Sequence, residues 1–344
     1  MTTAIPILVT GGAGFIGSHT CKRLAAEGFL PVTVDNLSTG HADAVKWGPL
    51  ERLDIRDRFA LGQVIARHKI SLVMHFAACA YVGESVQDPG LYYDNNVGGM
   101  TSLLTACRTE GVDKIILSSS CATYGTPAQI PVSETCPQRP MSPYGNTKLI
   151  CEEMLHAYEV AHGMRHVALR YFNAAGADPE GVLRERHDPE THLIPLALMA
   201  AAGAGPRLKI FGDDYNTPDG SPIRDYIHVD DLARGHVLAA RYLRGGGASI
   251  ALNLGSGVGQ SVFDVLDAIK RVTGKDVPHD LAPRRAGDPA ALWAAPERAA
   301  HILGFETQRS EIEQIIRDAA PGFGLPVLDH PDDKEGPHAR FVAE

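Results

Sequence analysis

The apolar run Ile5–Thr10 breaks at Gly11-Gly12-Ala13-Gly14-Phe15-Ile16-Gly17, and a helix-length segment, Phe15–Glu27, follows and stops at Gly28. A short apolar run bounded by turn residues reads as a strand buried on both faces, and such strands belong to parallel sheets covered by helices. Glycines at the turn let backbone N–H groups approach a ligand at the helix N-terminus, where the helix dipole favours negative charge. A glycine run alone is also an ordinary flexible turn. With a strand before it and a helix after it, the run reads as a pyrophosphate cradle. The second strand, Leu30–Val34, runs into Asp35, close to the ~20-residue offset at which a carboxylate meets the ribose hydroxyls of a dinucleotide. A carboxylate there repels a 2′-phosphate, and Asn36-Leu37-Ser38-Thr39-Gly40 offers no arginine to receive one. NAD is therefore expected rather than NADP.

The alternation continues. Leu72–His75, Lys114–Ser118 and Val167–Arg170 are short apolar strands, and Tyr92–Arg108 and Pro143–His162 are helix-length segments among them. The pattern predicts an α/β fold with a Rossmann-type, doubly wound parallel sheet. After about Asn173, Pro, Gly and charge become frequent through Ala174–Pro189, Gly212–Pro222 is a polar loop, and Ser261–Thr273 is amphipathic. The expectation is a cofactor domain over 1–173 and a smaller mixed α/β substrate lobe over 174–344, with the chain crossing between them. The stretch from about Leu328 to Glu344 reads as a loose tail.

Bulk properties exclude more than they assign. A net charge of −9 in 344 residues disfavours non-specific attraction to nucleic acid or anionic membrane. The six cysteines are scattered with no C-x-x-C pair, so neither a zinc site nor a disulfide framework is expected from them, and no metal is predicted. Met1–Pro6 leads straight into the first strand without a charged or apolar leader, so a cytoplasmic protein is expected.

The chemistry-bearing pattern is Ser142-Pro143-Tyr144-Gly145-Asn146-Thr147-Lys148. Ser142 suits an N-cap and Pro143 the first turn, and the i, i+4 spacing puts Tyr144 and Lys148 on one helix face. A phenol of ordinary pKa near ~10 is a poor base at neutral pH. A neighbouring ammonium and an oxidised nicotinamide ring both favour its phenolate. Tyr-x-x-x-Lys alone is a common surface pair. Here Ser118-Ser119-Ser120 closes the preceding strand, where an open α/β sheet presents its reactive groups, and a serine hydroxyl there can share the proton being moved.

At this point the chain resembles the extended short-chain dehydrogenase/reductases, and among them the UDP-glucose 4-epimerases. The resemblance runs to about Trp293. It rests on the motifs above and on Asp54-Ile55, His75-Phe76-Ala77-Ala78, Val82–Val86, Tyr92–Val97, Arg170-Tyr171-Phe172-Asn173, Arg224–Val229, Asn253-Leu254-Gly255 and Ala282–Asp288. It implies that Tyr144 takes the proton of the sugar 4-hydroxyl with Ser120 in the same relay, and that Lys148 holds the cofactor ribose. Hydride lent to NAD would leave a 4-keto sugar, which turns over and takes it back on the other face.

By the same resemblance the cofactor would meet Gly11, Gly14, Phe15, Ile16, Gly17, Asp35, Asn36, Ser38, Asp54, Ile55, Phe76, Ala77, Ala78, Asn95, Ser118, Tyr144, Lys148 and Tyr171. The UDP-sugar would meet Ser120, Tyr144, Phe172, Asn173, His192, Leu193, Phe211, Arg224, Arg285, Asp288 and Leu292. Two arginines suit a diphosphate, Phe211 a uracil, and Asp288 a ribose. A homodimer pairing the helices Tyr92–Arg108 and Pro143–His162 is also implied. Without the resemblance, Arg224 beside Asp225 reads as a local ion pair and Arg284-Arg285 as a solvated face.

Three positions depart from the family pattern. Ala80 stands where some members carry a lysine near the cofactor phosphates, and His192 where many have an asparagine. Leu292 replaces a bulky tyrosine of glucose-restricted members, so UDP-N-acetylhexosamines, and UDP-pentoses as well, stay open as substrates. A 4,6-dehydratase would follow Ser120 with an acid pair, whereas Cys121-Ala122 follows here. A net dehydrogenase of a small alcohol would need exchangeable cofactor. A silent NAD-binding sensor or scaffold would be expected to lack one of Ser120, Tyr144 and Lys148.

Overall fold

The apolar runs of the first half become strands that are covered on both faces. In the computed structural model, which describes residues 4–285 and 288–329, these strands are β1 (Ile5–Thr10), β2 (Phe29–Asp35), β3 (Leu50–Arg52), β4 (Val73–His75), β5 (Lys114–Ser120) and β6 (Arg165–Tyr171). Between and around them lie α1 (Phe15–Ala26), α2 (Arg58–His68), α3 (Val82–Gln87), α4 (Pro89–Tyr92), α5 (Gly99–Thr109) and α6 (Pro143–His162). The helix expected over 92–108 is not one regular helix: Tyr93–Gly98 forms a π-helical turn between α4 and α5.

From Asn173 the chain adds β7 (Asn173–Ala175), α7 (Leu193–Ala201), β8 (Leu208–Phe211), β9 (Ile223–His228), α8 (Val229–Arg244) and β10 (Ile250–Leu254). It continues through β11 (Gly259–Ser261), α9 (Val262–Thr273), β12 (His279–Ala282), β13 (Ala291–Leu292), α10 (Glu297–Leu303) and α11 (Ile312–Ala319). The expected tail lies, beyond Asp329, outside the described residues, as do Ala286 and Gly287 of the Ala282–Asp288 motif.

Seven strands form one sheet in the order β10-β6-β5-β4-β1-β2-β3, and every pairing in it is parallel. Leu232, Val237 and Leu243 of α8 share a core with Cys21 and Leu24 of α1 and with Leu252 of β10. The chain thus returns to the first sheet after residue 173. The opposite face is closed by Leu61 and Ile65 of α2, Leu103 and Leu104 of α5, and Leu155 of α6. Each such leucine, fully buried, contributes about 2 kcal/mol.

Strand order reverses between β1 and β4. At such a switch the loops leave in opposite directions and open a crevice at the carboxyl ends of the strands. Gly11–Gly17, Phe76–Ala78 and Ser118–Ser120 all lie at that end. Over it sits the second lobe, where β11, β9 and β13 form a small sheet with β7 beside β9, and β12 pairs with β8. Its own core brings together Ile194 and Leu198 of α7, Val265 and Ile269 of α9, and Ile315 and Ile316 of α11.

The helix that carries the Tyr–Lys pair is sharply bounded. Ser142 Oγ accepts from Gly145 N at 3.1 Å with Pro143 in the first turn, and Gly163 closes the helix in the left-handed region at φ 69°. Ser142→Ala removes the cap and is expected to cost about 1 kcal/mol of stability, read as a lower urea midpoint at unchanged m-value.

Candidate active site

The glycine loop is shaped for close approach. Gly11 has φ 73°, and a Cβ added there would lie 2.6 Å from Ala77 N; one on Gly17 would lie 2.2 Å from Gly11 O. Gly14 caps α1 with no side-chain hydrogen bond, and no acid stands in the first turn. The amides at this helix start are therefore left for an anion, the arrangement a pyrophosphate requires. Asp35 is buried; its carboxylate accepts from Ala13 N at 3.0 Å and Leu37 N at 2.8 Å, tying β2 to the loop. Phe76 N and Ala77 N donate to Thr10 O at 2.9 and 3.1 Å, so the β4 exit lies against the β1 exit.

The expected adenine side is held by ion pairs. Asp54 meets Arg56 at 2.8 Å and accepts from Asn36 at 3.4 Å, and Arg56 brings its carboxyl down to about 2. Ser38 N donates to Asn36 Oδ1 at 3.0 Å, and Ile55 is buried against Gly99.

Tyr144 and Lys148 come together with the end of β5. Ser120 hydrogen-bonds the Tyr144 phenol; burial pushes that phenol up to about 12, and the Ser120 bond works against the rise. Lys148 is buried, its Nζ donates to Ser118 O at 2.8 Å, and it stands 5.9 Å from the centroid of the Tyr144 ring. Burial lowers its pKa, opposed by Cys151, Glu152 and Cys79. Ser118 Oγ meets Tyr171 OH, fixing the β6 end beside it. The result is a phenol, a hydroxyl and an ammonium at one strand end, beside the glycine loop.

Two residues that the sequence reading passed over hold this group in place. Asn96 donates to Thr147 Oγ1 and Cys79 O at 3.0 Å each and accepts from Cys79 N and from Asn95, so the π-turn is pinned to α6. Glu152, one turn beyond Lys148, accepts from Ser119 Oγ at 2.5 Å and from Arg170 Nε at 3.0 Å. The i+4, i+8 spacing from Tyr144 was the signal available for Glu152.

The second lobe brings the expected nucleotide residues to the same side. Arg224 does not pair with its neighbour Asp225. It meets Asp288 at 2.9 Å, while buried Asp225 accepts from Ser256, Gly257 and Ala294. The Arg285 guanidinium lies 4.0 Å over the Phe211 ring, so this arginine is stacked rather than simply solvated. Asn173 donates to Asp225 O at 2.9 Å. Phe172 and Leu292 are buried together with Tyr124, Val132 and Ala294.

His192 and Leu193 stand at the start of α7, at the end of a strap that returns across the cofactor loop. Lys22 pairs with Asp178 at 2.5 Å, and Arg186 with Asp43 at 2.9 Å. A cleft of about 220 Å³ between strap and loop is lined by Gly14, Phe15, Thr39, His41, Arg184 and Arg186, among others. Burial disfavours charge on His187 and His192, but the Glu185 and Glu190 carboxylates prevail and lift them to about 9 and about 10.

A parallel sheet with its crevice at a glycine loop, and a Ser–Tyr–Lys group beside it, define the class. The chain belongs to the NAD dependent epimerase/dehydratase family, which its residues 7–255 match. It is 54% identical over 302 residues to the UDP-glucose 4-epimerase of Rhizobium meliloti (strain 1021), covering 88% of this chain and 92% of that one. It is also similar to the crystal structure of UDP-glucose 4-epimerase from Brucella ovis in complex with NAD. There the TM-score is 0.93 at 57% identity, over 94% of this chain and 100% of the other. A third similar structure is the UDP-glucose-4-epimerase of Stenotrophomonas maltophila with bound NAD and formylated UDP-arabinopyranose. Its TM-score is 0.90 at 39% identity, over 93% and 98% of the two chains.

Proposed function

We propose that this chain interconverts UDP-glucose and UDP-galactose by inverting carbon 4 of the hexose, with NAD held in the Gly11–Gly17 cradle. The observation that carries the reading is the meeting of Ser120, Tyr144 and Lys148 beside that cradle, with no carboxylate at Cys121-Ala122 to serve elimination of water. NAD, when bound, supplies a reversible hydride acceptor for carbon 4.

The chain's own groups do the rest. Tyr144 takes the proton of the 4-hydroxyl and returns it, and Ser120 shares that proton through its hydrogen bond to the phenol. Lys148, anchored on Ser118 O, presents its remaining N–H donors to the cofactor ribose. Gly11, Gly14 and Gly17 cradle the pyrophosphate; Asp35 binds the adenosine ribose; Asp54, Ile55 and Asn36 border the adenine.

On the substrate side, Arg224 and Arg285 bind the diphosphate, Phe211 packs on uracil and Asp288 takes the uridine ribose. The Arg224–Asp288 contact keeps both groups preformed at one edge of the site. A firm grip on the nucleotide and a loose one on the hexose let both faces of carbon 4 be presented in turn. We place the chain in the cytoplasm; among the described residues no helix is long and apolar enough to cross a membrane. We place it as a homodimer through α5 and α6, whose neighbourhood leaves Tyr93 and Val160 exposed.

The purified protein, with no cofactor added, is expected to carry NAD and to convert UDP-glucose to UDP-galactose, read by chromatography of the nucleotide sugars. An NAD-loaded protein that turns over neither sugar defeats the assignment. UDP-N-acetylhexosamines and UDP-pentoses in the same assay define its range, because Leu292 is smaller than the tyrosine of glucose-restricted members at that position.

A further inference from the structure

The strap that closes over the cofactor loop carries five ligand-type side chains within eight residues, and four of them, Glu185, His187, Glu190 and His192, come together while Asp188 stays out of the group. One oxygen or nitrogen from each of the four lies within 4.8 Å of all the others. Glu185 Oε1 stands 2.9 Å from the Nδ1 atoms of both histidines, His192 Nδ1 is also 2.9 Å from Glu190 Oε1, and His187 Nδ1 is 3.6 Å from Glu190 Oε2.

Hydrogen bonds account for the His192–Glu190 side of this arrangement but not for Glu185 and His187. An imidazole Nδ1 holds one proton or one lone pair, and so serves one partner in line. Glu185 Oε1 and His187 Nδ1 are buried and 2.9 Å apart, yet they are out of line for a hydrogen bond, and neither has another such partner among the described residues. Glu190 Oε1 is satisfied by His192 Nδ1 and by the Thr191 and His192 backbone N–H groups, so the unsatisfied pair is Glu185 Oε1 and His187 Nδ1, and Glu190 Oε2 stands beside it. Ligands at 2.0–2.1 Å around a tetrahedral ion stand about 3.3 Å from one another; the four acid–imidazole contacts lie at 2.9–3.6 Å, and every ligand pair lies within 4.8 Å.

We propose that Glu185, His187, Glu190 and His192 form a divalent transition-metal site, with zinc as its expected occupant. Two imidazole nitrogens argue against calcium or magnesium, which take oxygen ligands, and two imidazoles with two carboxylates suit zinc. Two carboxylates and a divalent ion leave the cluster neutral. Glu185 and Glu190 are 5% and 10% exposed, whereas His192 at 47% leaves a route from solvent. The His187 ring meets Phe15 of the glycine loop edge-on at 6.2 Å and Tyr81 at 6.0 Å. A metal there clamps the strap onto the cofactor loop and fixes the approach to α7, and so has a structural rather than a reacting role.

The test uses the full-length, NAD-loaded protein. Loaded with Zn²⁺ and then dialysed, it is expected to keep one zinc per chain by elemental analysis, and Co²⁺ is expected to give the visible absorption of four-coordinate cobalt. Glu185→Gln and His187→Asn should each weaken Zn²⁺ binding by more than the ~10–100-fold that changes in a metal's outer shell cost. Zn²⁺ should also slow tryptic cleavage at Arg184 and Arg186 in the wild type and not in these variants. Wild-type protein that neither retains zinc nor develops the cobalt bands overturns the proposal and leaves an ion-pair clasp only. Variants that bind Zn²⁺ like the wild type overturn it as well.

Discussion

Tyr144→Phe is expected to lower kcat by ~10²–10⁴-fold, the range general acid–base catalysis contributes, while NAD stays bound and KM for UDP-glucose changes little. The substitution removes one oxygen from a ring held by its place on α6 and by an edge-on contact with Tyr92 at 6.5 Å, so the cavity keeps its shape. Burial holds the Tyr144 phenol up at about 12, and the Ser120 hydrogen bond is the chain's main opposing influence. A base works only above its own pKa, so anything that raises that value lowers the rate at neutral pH.

Ser120→Ala removes the opposing bond. The kcat–pH profile is then expected to move its rising limb to higher pH, with activity recovering as the solution becomes more alkaline. Tyr144→Phe should lack that limb altogether. Near-normal turnover in Tyr144→Phe, or an unshifted limb in Ser120→Ala, would remove these two groups from the proton path.

Those groups were legible because their spacing is local. A strand, a glycine loop, a helix and a carboxylate at the next strand end follow one another in sequence, and a Tyr-x-x-x-Lys pair declares its helix face by itself. The Ser142–Pro143 start of α6 was readable for the same reason. What did not show was set by contacts between distant parts of the chain. Arg224 looks committed to Asp225 in sequence, but β9 is a strand, so adjacent side chains point to opposite faces. Asp225 turns inward to Ser256, Gly257 and Ala294, and Arg224 turns toward Asp288. Arg285 reads as a solvated cation, and only the fold lays it on Phe211. The strap spacing Glu185–His192 was present in the sequence, but it was hidden in a segment whose Pro, Gly and charge read as loop. The return of β10 to the first sheet had no local sign, because Ile250–Leu254 is an apolar run that would suit either lobe.

Arg170→Met carries the second large effect. The Arg170–Glu152 pair is almost fully buried, at 7% and 9% side-chain exposure, between β6 and the helix that carries Tyr144 and Lys148. Removing the arginine strands a carboxylate that Ser119 and Gln138 alone must then satisfy, and breaking a buried pair from one side costs about 3–5 kcal/mol. Tyr124 also loses the donor at 2.9 Å that bridges it to this pair, and it keeps only Asn253 at 2.7 Å. The expected result is a large drop in the thermal and urea midpoints.

Taking out both charges is a different matter, since a buried ion pair gains little over apolar groups of similar volume once its desolvation is counted. Arg170→Met with Glu152→Leu should therefore recover most of the lost stability. Catalysis should not recover with it. Glu152 is among the groups that oppose the loss of charge on buried Lys148, and its bond to Ser119 holds α6 against the end of β5. The double variant is expected to fold, bind NAD and still turn over UDP-glucose more slowly than the wild type. Full activity in the recovered protein would show the pair to be scaffolding alone.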